Sequence, residues 1–186
     1  MLEREVKLRF DTPDEARRTV IAAGATPRCP RRLQQDSLFD TDDDSLRHKR
    51  CVLRIRQDGA ASILTFKGPV QPGPMKLREE LETAAADGEV LRQIFDRLGL
   101  RAWFRYEKYR EEFTAEGVIL AVDETPVGTF VEIEGTSDGI IAMAAAMGKG
   151  RGDYILDSYY GLFMRTREAL GFRGQDMVFD DPGRSQ

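Results

Sequence analysis

The sequence has few of the residues that cross-link small folds or bind soft metals. Among 186 residues there are two cysteines, Cys29 and Cys51, and one histidine, His48. The cysteines have no metal-ligand spacing, so we interpret both as free thiols rather than as a disulfide or a zinc site. His48 stands in a polar stretch and is interpreted as an exposed residue. A chain of this length can bury a sufficient core in one domain without such cross-links.

Long apolar runs and an excess of one charge are also missing. The apolar stretches are too short to span a bilayer, and the first residues form a charged strand rather than a secretion signal. With 28 basic and 32 acidic residues, the net charge of −4 gives no global attraction to nucleic acid or to an anionic membrane. The sequence therefore predicts a cytoplasmic location and neither a nucleic-acid nor a membrane partner. It leaves a monomer and a homodimer open.

Charged side chains recur at every second position in several segments. This period places each set on one face of a β-strand, while alternate residues such as Val6, Leu8 and Ile133 are apolar. The pattern gives seven candidate interior bases: Lys7, Arg54, Arg56, Lys67, Arg78, Lys108 and Arg110. It also gives seven candidate interior acids: Glu3, Glu5, Glu80, Glu82, Asp123, Glu132 and Glu134. A single pair of this kind is usually a solvated face, but pairs of both signs on several strands favour a sheet curled around a polar interior.

The other segments predict the architecture around these strands. Thr12-Pro13 begins a helix that runs to about residue 23, and Asp58-Gly59 is a hairpin turn. After the opening strand, further strands are predicted at 35–40, 46–57, 62–67, 76–83, 102–114, 118–124 and 128–134, with helices at about 88–98, 140–147 and 158–170. The predicted fold class is therefore α+β, an eight-stranded antiparallel β-barrel with peripheral helices. The barrel domain is placed at residues 1–172, followed by a weakly ordered tail at 173–186.

Bases and acids on the same interior surface indicate a charged ligand. Arginine and lysine donate charge-assisted hydrogen bonds to phosphate oxygens, and carboxylates are the ligands that Mg²⁺ and Mn²⁺ prefer. A polyphosphate bridged by a divalent cation needs both sets. The candidate metal ligands are all seven acids, the candidate substrate-binding residues are all seven bases, and Glu5, Lys7 and Glu132 are the candidate catalytic residues. Hydrolysis would use an oriented water in line with a phosphoanhydride.

The chain resembles the CYTH domain, or triphosphate tunnel metalloenzyme, superfamily. The N-terminal hallmark E-x-E-x-K stands here as Glu3-Arg4-Glu5-Val6-Lys7. The other matching segments follow in the family's order: Leu53 to Arg56, Thr65 to Gly68, Arg78 to Glu82, Lys108 to Arg110, Asp123, and Phe130 to Glu134. The resemblance covers about residues 1–170 and implies an eight-stranded tunnel that binds a triphosphate end-on.

The resemblance also implies roles for individual residues. Those matching Glu3, Glu5, Asp123, Glu132 and Glu134 serve the metals, with Glu80 and Glu82 as further acids. Those matching Lys7, Arg54, Arg56, Lys67, Lys108 and Arg110 hold phosphates. One position departs from the family, because Asp157 precedes Ser158-Tyr159 where a basic residue is common. Lys149 or Arg151 is a candidate to supply the missing charge.

Several functions remain open at this point. The leading expectation is a Mg²⁺- or Mn²⁺-dependent phosphohydrolase acting on inorganic tripolyphosphate or a nucleoside triphosphate. The runner-up is a class IV adenylate cyclase that converts ATP to cyclic AMP and pyrophosphate. A thiamine triphosphatase, a non-catalytic polyphosphate- or nucleotide-binding module, and a structural barrel whose charges pair among themselves are further alternatives.

Overall fold

Eight strands close into one antiparallel barrel in the computed structural model, which describes residues 2–179. The strands are β1 (Leu2–Phe10), β2 (Thr26–Thr41), β3 (Val52–Asp58), β4 (Ala61–Lys67), β5 (Lys76–Ala85), β6 (Leu100–Ala115), β7 (Val118–Thr125) and β8 (Gly128–Gly135). Their order around the barrel is β1-β5-β4-β3-β2-β6-β7-β8, and β8 pairs with β1 to close the ring. The predicted α+β class with an eight-stranded antiparallel barrel is confirmed.

Five α-helices of the described residues surround this barrel. They are α1 (Pro13–Ala22), α2 (Ser45–His48), α3 (Gly88–Arg97), α4 (Ser137–Ala146) and α5 (Tyr159–Thr166). The start of α1 confirms the predicted cap, because Thr12 Oγ1 accepts a hydrogen bond from the Glu15 amide at 3.2 Å. The Glu15 carboxylate accepts a hydrogen bond from the amide of Asp11, one residue before the cap, at 3.1 Å.

The apolar faces of the strands point outward to the helices. Val6 and Leu8 of β1 and Ile133 of β8 are buried in one cluster with Val20 of α1 and Ile140 of α4. The intervening residues therefore face the barrel axis, as the two-residue period requires. Because the hydrophobic layer lies between the barrel and its helices, the interior of the barrel is free to be polar.

Helix α5 covers one end of the barrel. Leu162 and Phe163 pack on Phe104 of β6 and Phe130 of β8, and all four are buried. Just before this helix, Ile155 exchanges two backbone hydrogen bonds with Lys7 (2.9 and 3.1 Å). β1 pairs with β5 only as far as Glu5, and the bridge to Ile155 lies beyond that point on β1. The segment that leads to α5 therefore continues the barrel wall.

Two predicted strand boundaries were wrong. β2 spans 16 residues instead of the predicted six, because β6 pairs along most of it despite weak strand propensity at Pro27 and Pro30. Residues 46–51, predicted as the start of a strand, instead belong to α2 and its C-terminal turn. The buried Asp40 carboxylate fixes that turn, since it accepts the amides of Leu46 and Arg47 at 2.8 and 3.0 Å.

Residues 173–179 were assigned from the sequence to a weakly ordered tail, yet they contact β6. Met177 is fully buried, and it exchanges backbone hydrogen bonds with Arg105 and Glu107, each 2.9 Å long. Phe179 packs on Tyr109 with ring centroids 5.3 Å apart. The segment therefore lies along the edge of β6 that β7 leaves uncovered. Residues 180–186 lie outside the described residues.

No helix among residues 2–179 has the length and apolar character needed to cross a membrane.

Candidate active site

The barrel encloses one cavity of about 890 Å³ that is lined by the predicted interior charges. All seven predicted bases line it: Lys7, Arg54, Arg56, Lys67, Arg78, Lys108 and Arg110. Six of the seven predicted acids do so as well: Glu3, Glu5, Glu80, Glu82, Glu132 and Glu134. The seventh, Asp123, lies behind the wall with no exposed surface and contacts two of the lining bases. The strands thus bring every candidate site residue to one place.

The acids of β1 form ion pairs with bases of β4 and β5. The Glu3 carboxylate is 2.8 Å from Lys67 Nζ and 3.2 Å from Arg78 Nε. Glu5 pairs with Lys76 Nζ at 2.5 Å. These contacts follow from the strand register, because β1 places Glu3 opposite Arg78 and Glu5 opposite Lys76.

On the other side of β1, Lys7 lies opposite Glu132 of β8 and contacts its carboxylate at 2.8 Å. Arg110 contacts both Glu132 and Asp123, and Lys108 Nζ lies 2.9 Å from Asp123 Oδ2. Tyr159 of α5 donates its hydroxyl to Asp123 at 2.6 Å. The covering helix is therefore hydrogen-bonded to the charged wall of the cavity.

Sequence reasoning missed three members of this network. Asp36 is fully buried on β2, where its Oδ1 lies 2.9 Å from Arg56 Nε and 3.3 Å from Arg54 Nε. Lys76 shares the alternation of Arg78 and Glu80, so the same period could have identified it. Asp36 lies in the predicted strand 35–40, but its neighbours on the same face, Gln34 and Leu38, are uncharged and gave no repeated pattern. Tyr159 was noted only as part of the Ser158-Tyr159 pair, because its contact with Asp123 depends on where α5 docks.

The pKa values of the predicted catalytic residues are driven away from neutrality. Burial alone would raise the pKa of Glu5, but Lys7 and Lys76 outweigh it and hold that pKa well below its usual value. Burial opposes the charge on Lys7 too, yet Glu132 and Glu5 raise its pKa above the usual lysine range. The pKa of Glu132 is likewise held well below its ordinary value, because Lys7 and Arg110 overcome the effect of burial. These three groups therefore remain ionised and act as fixed charges.

Two other groups in the cavity wall have pKa values that are shifted toward neutrality. Desolvation and the neighbouring charges of Glu3, Glu5 and Glu80 raise the pKa of Glu134 to about 7. Because the Glu134 side chain is exposed to solvent, we attribute the shift mainly to the three carboxylates. We call the carboxylates of Glu3, Glu5, Glu80 and Glu134 the cation-binding pole.

The second group is Lys108. Burial and then the nearby Arg110 lower its pKa to about 8, against the pull of Asp123 and Glu132. After burial, the guanidinium groups of Arg110 and Arg56 add positive potential at this lysine. We call Lys108, Arg110, Arg54 and Arg56 the anion-binding pole.

The donor chemistry of the cation-binding pole fits a divalent cation. Glu5 and Glu134 are cross-strand neighbours in the β1–β8 register, and carboxylate oxygens are the hard ligands suited to Mg²⁺ or Mn²⁺. After burial, the nearby carboxylates of Glu3, Glu5 and Glu80 contribute most to the raised pKa of Glu134, and a bound cation would offset their repulsion. Among residues 2–179 no three His, Cys, Asp or Glu side chains are already arranged as a metal site. The lysines now paired with Glu3 and Glu5 must therefore release them for a cation to bind.

The position that departs from the family has a local partner. Arg165 of α5 donates to both oxygens of Asp157 at 2.6 and 2.7 Å. Neither proposed replacement lines the cavity, since Lys149 Nζ lies 5.1 Å from the Phe10 ring centroid and Arg151 is exposed. Instead Lys76, which the sequence analysis did not select, adds a base to the cavity wall.

The chain belongs to the CYTH domain family, whose model matches residues 1–149. A Methanocaldococcus jannaschii protein named "Putative adenylate cyclase MJ0240" is 30% identical over 135 residues, which cover 72% of this chain and 77% of that protein. A structure of a "putative adenylate cyclase" from Vibrio parahaemolyticus superposes with a TM-score of 0.78 at 16% identity, covering 88% of this chain and 98% of that one. The Hippeastrum "Putative adenylyl cyclase HpAC1" superposes with a TM-score of 0.65 at 22% identity, covering 88% and 95%. The two structural likenesses show the shared barrel fold.

Proposed function

We propose that the protein is a divalent-metal-dependent phosphohydrolase that cleaves a phosphoanhydride of a linear triphosphate bound inside the barrel. The observation that carries this proposal is the pair of poles in one cavity. The bases Arg54, Arg56, Lys108 and Arg110 line one part of its wall, and the carboxylates Glu3, Glu5, Glu80 and Glu134 line another. A triphosphate bridged to a divalent cation satisfies both poles at once.

Within this proposal the bases bind and orient the substrate. Arg54, Arg56, Lys108 and Arg110 hold phosphate oxygens by charge-assisted hydrogen bonds, with guanidinium groups able to bind two oxygens at once. Lys7 is held between Glu5 and Glu132 and stays protonated, so it stabilises the negative charge that develops on the transferred phosphoryl group. Glu132 acts by fixing both Lys7 and Arg110.

The acids define where the cation binds. Glu3, Glu5 and Glu134, with Glu80 beside them, would hold Mg²⁺ or Mn²⁺, which supplies charge neutralisation and polarises a phosphoryl oxygen or water. Asp123 has a different role in this arrangement, because it is enclosed by Lys108, Arg110 and Tyr159. We infer that Asp123 positions these bases. Glu82 pairs weakly with Arg54, at 3.6 Å, and lies at the solvent-exposed edge.

A class IV adenylate cyclase is the second candidate. It is favoured by the name of the Methanocaldococcus jannaschii relative, which shares 30% identity with this chain. The same poles would then hold ATP while the ribose 3′-oxygen attacks the α-phosphate. The Hippeastrum protein, whose name is also that of a cyclase, has a dominant triphosphatase activity. The cyclase name of a relative is therefore compatible with hydrolysis, which we place first. A thiamine triphosphatase and a non-catalytic binding module rank below both.

The deciding experiment measures phosphate and cyclic AMP separately. Tripolyphosphate, ATP and thiamine triphosphate are supplied with Mg²⁺ or Mn²⁺, with an EDTA control. Phosphate release without cyclic AMP supports the phosphohydrolase, whereas cyclic AMP with pyrophosphate from ATP establishes the cyclase. Binding without turnover of any compound refutes both enzymes and leaves the binding module.

The role of Glu132 is tested in the same assay. Glu132→Gln removes the charge that fixes Lys7 and Arg110, and we expect kcat to fall at least about 100-fold, the scale of one lost electrostatic contact in a transition state. Glu116→Gln is the matched control, since Glu116 is exposed and does not line the cavity. Unchanged turnover of Glu132→Gln at saturating metal would remove this residue from the mechanism.

A further inference from the structure

One part of the cavity wall differs in character from the two charged poles. Trp103 and Tyr160 line it, with their ring centroids 4.9 Å apart in an edge-to-face arrangement. The guanidinium of Arg47 lies over the Trp103 ring, 4.4 Å from its centroid. Arg50 lies in the turn that follows α2 and also lines the cavity. We call these four residues the aromatic mouth, because the arginines are exposed and the rings half-buried where the cavity reaches solvent.

The backbone holds Arg50 in a conformation that arginine rarely adopts. Its φ is +58°, in the left-handed region where glycine is the usual residue. Two backbone hydrogen bonds, from Arg50 to Arg47 (2.9 Å) and from Cys51 to Leu46 (2.8 Å), form the αL turn that ends α2. A non-glycine residue in this conformation costs stability, and such positions concentrate at functional sites. The turn aims a long cationic side chain at the cavity.

The charges at the aromatic mouth are unequally compensated. Arg47 is paired with Asp40 and Asp44, whereas Arg50 forms no ion pair with any residue in the described part of the chain. Every acid that lines the cavity belongs to β1, β5, β6 or β8, and none belongs to α2 or to the turn that follows it. The mouth therefore places the edge-to-face rings of Trp103 and Tyr160 beside an arginine that has no ion-pair partner among residues 2–179.

We propose that the aromatic mouth binds the uncharged aromatic base of a nucleoside triphosphate whose phosphates occupy the two poles. This inference rests on the proposed function and specifies its substrate class. A planar base can stack on Trp103 or on the guanidinium that covers it, and inorganic tripolyphosphate has no group that would use either surface. The cavity volume of about 890 Å³ is in the range that encloses a whole organic ligand, about 300–1,000 Å³.

The positive charge of Arg50 would discriminate between thiamine triphosphate and a nucleoside triphosphate. The thiazolium ring of thiamine triphosphate carries a permanent positive charge, which Arg50 repels. A nucleobase is neutral at pH 7 and stacks without that repulsion. The mouth therefore favours a nucleoside triphosphate over thiamine triphosphate.

Binding is tested first, without turnover, through the fluorescence of Trp103, the one tryptophan of the chain. In EDTA we expect ATP to change its emission and tripolyphosphate to leave it almost unchanged at concentrations that compete with ATP for binding. An equal change with both ligands would contradict stacking at Trp103. This measurement needs no catalysis, so it decides the inference even if the protein hydrolyses nothing and the proposed function fails.

Turnover provides the second test. Trp103→Leu should lower kcat/KM for ATP by about 5- to 150-fold, the range expected for the loss of one base–aromatic stack, and change kcat/KM for tripolyphosphate by less than about twofold. Equal losses on both substrates would show that Trp103 only supports the fold.

Arg50→Gly tests the charge without disturbing the backbone, because glycine adopts the left-handed conformation freely. We expect it to raise kcat/KM for thiamine triphosphate relative to ATP by about fivefold, the repulsion expected of one charge at close range in water. Arg28→Gln is the control, since Arg28 is exposed and lies outside the cavity. A ratio unchanged by Arg50→Gly would refute the charge selection.

Discussion

Replacement of Asp36 by asparagine tests whether the buried charges of the barrel depend on one another. The Asp36 side chain has no exposed surface, and its Oδ1 faces Arg56 and Arg54 at 2.9 and 3.3 Å. Asp36→Asn keeps the shape of the side chain but removes the negative charge. Two buried guanidinium groups then lose the acid that compensates them.

The expected cost follows from the burial of the ion pair. Removal of one partner of a buried pair costs about 3–5 kcal/mol, because the remaining charge stays in a poorly solvated place. For a chain of this size about 1 kcal/mol corresponds to 2–4 °C in Tm, so Asp36→Asn should melt roughly 6–20 °C lower. Tripolyphosphate should recover part of this loss, because its oxygens would compensate the same arginines.

Urea and thermal unfolding at pH 7, with and without tripolyphosphate, measure this effect. The exposed Asp96→Asn is the control, because its contact with Arg101 is 3.9 Å long and solvent-exposed, and it should cost at most about 1 kcal/mol. Burial alone would raise the pKa of Asp36, but Arg56 and Arg54 outweigh it and lower that pKa in the folded protein. The Asp36 carboxylate therefore stabilises the fold above the pKa of an unfolded aspartate, and this contribution is lost as the pH falls below that value. The reasoning is refuted if Asp36→Asn costs less than about 1 kcal/mol at pH 7, or if the difference does not shrink below pH 4.

Three other substitutions test the cation-binding pole, the C-terminal segment and a close backbone contact. Because the folded pKa of Glu134 is raised to about 7, wild type loses stability as the pH rises from about 4.5 to 7. Without metal, Glu134→Gln should therefore be more stable than wild type at pH 8, by less than about 1 kcal/mol because the side chain is exposed, and no more stable at pH 4. Mg²⁺ should stabilise this variant less than it stabilises wild type. An equal gain at both pH values in thermal unfolding would contradict this reasoning. Met177→Ala should cost about 2–5 kcal/mol in urea unfolding, and a loss under 1 kcal/mol would show that the C-terminal segment is not packed. Gly135→Ala should lower the free energy of unfolding more than Gly24→Ala in the same assay. Both glycines have a positive φ, but only at Gly135 would the added carbon meet a backbone oxygen, that of Gly117. Equal losses would contradict this contact.

The interior of the barrel was predictable because a strand has a simple period. Lys7, with Val6 and Leu8 on either side, is assigned to the inner face by alternation alone, and the structure places it there. The same rule fails where propensity and pairing disagree, as along β2. There the residues before 35 were not assigned to a strand, because Pro27 and Pro30 conceal the pairing that β6 imposes. Asp36 lies within the predicted strand but was missed because its same-face neighbours Gln34 and Leu38 carry no charge.

The sequence by itself determined the barrel, the charge of its interior and the kind of ligand that such an interior suits, since these depend on local periodicity and on residue chemistry. Only the tertiary structure decided which charges neutralise one another. The register set Glu132 against Lys7, whereas the docking of α5 brought Tyr159 to Asp123. The two poles, the shifted pKa values of Lys108 and Glu134, and the aromatic mouth all arise from contacts between distant parts of the chain. The strand period fixes which way a side chain points but not which side chain it meets.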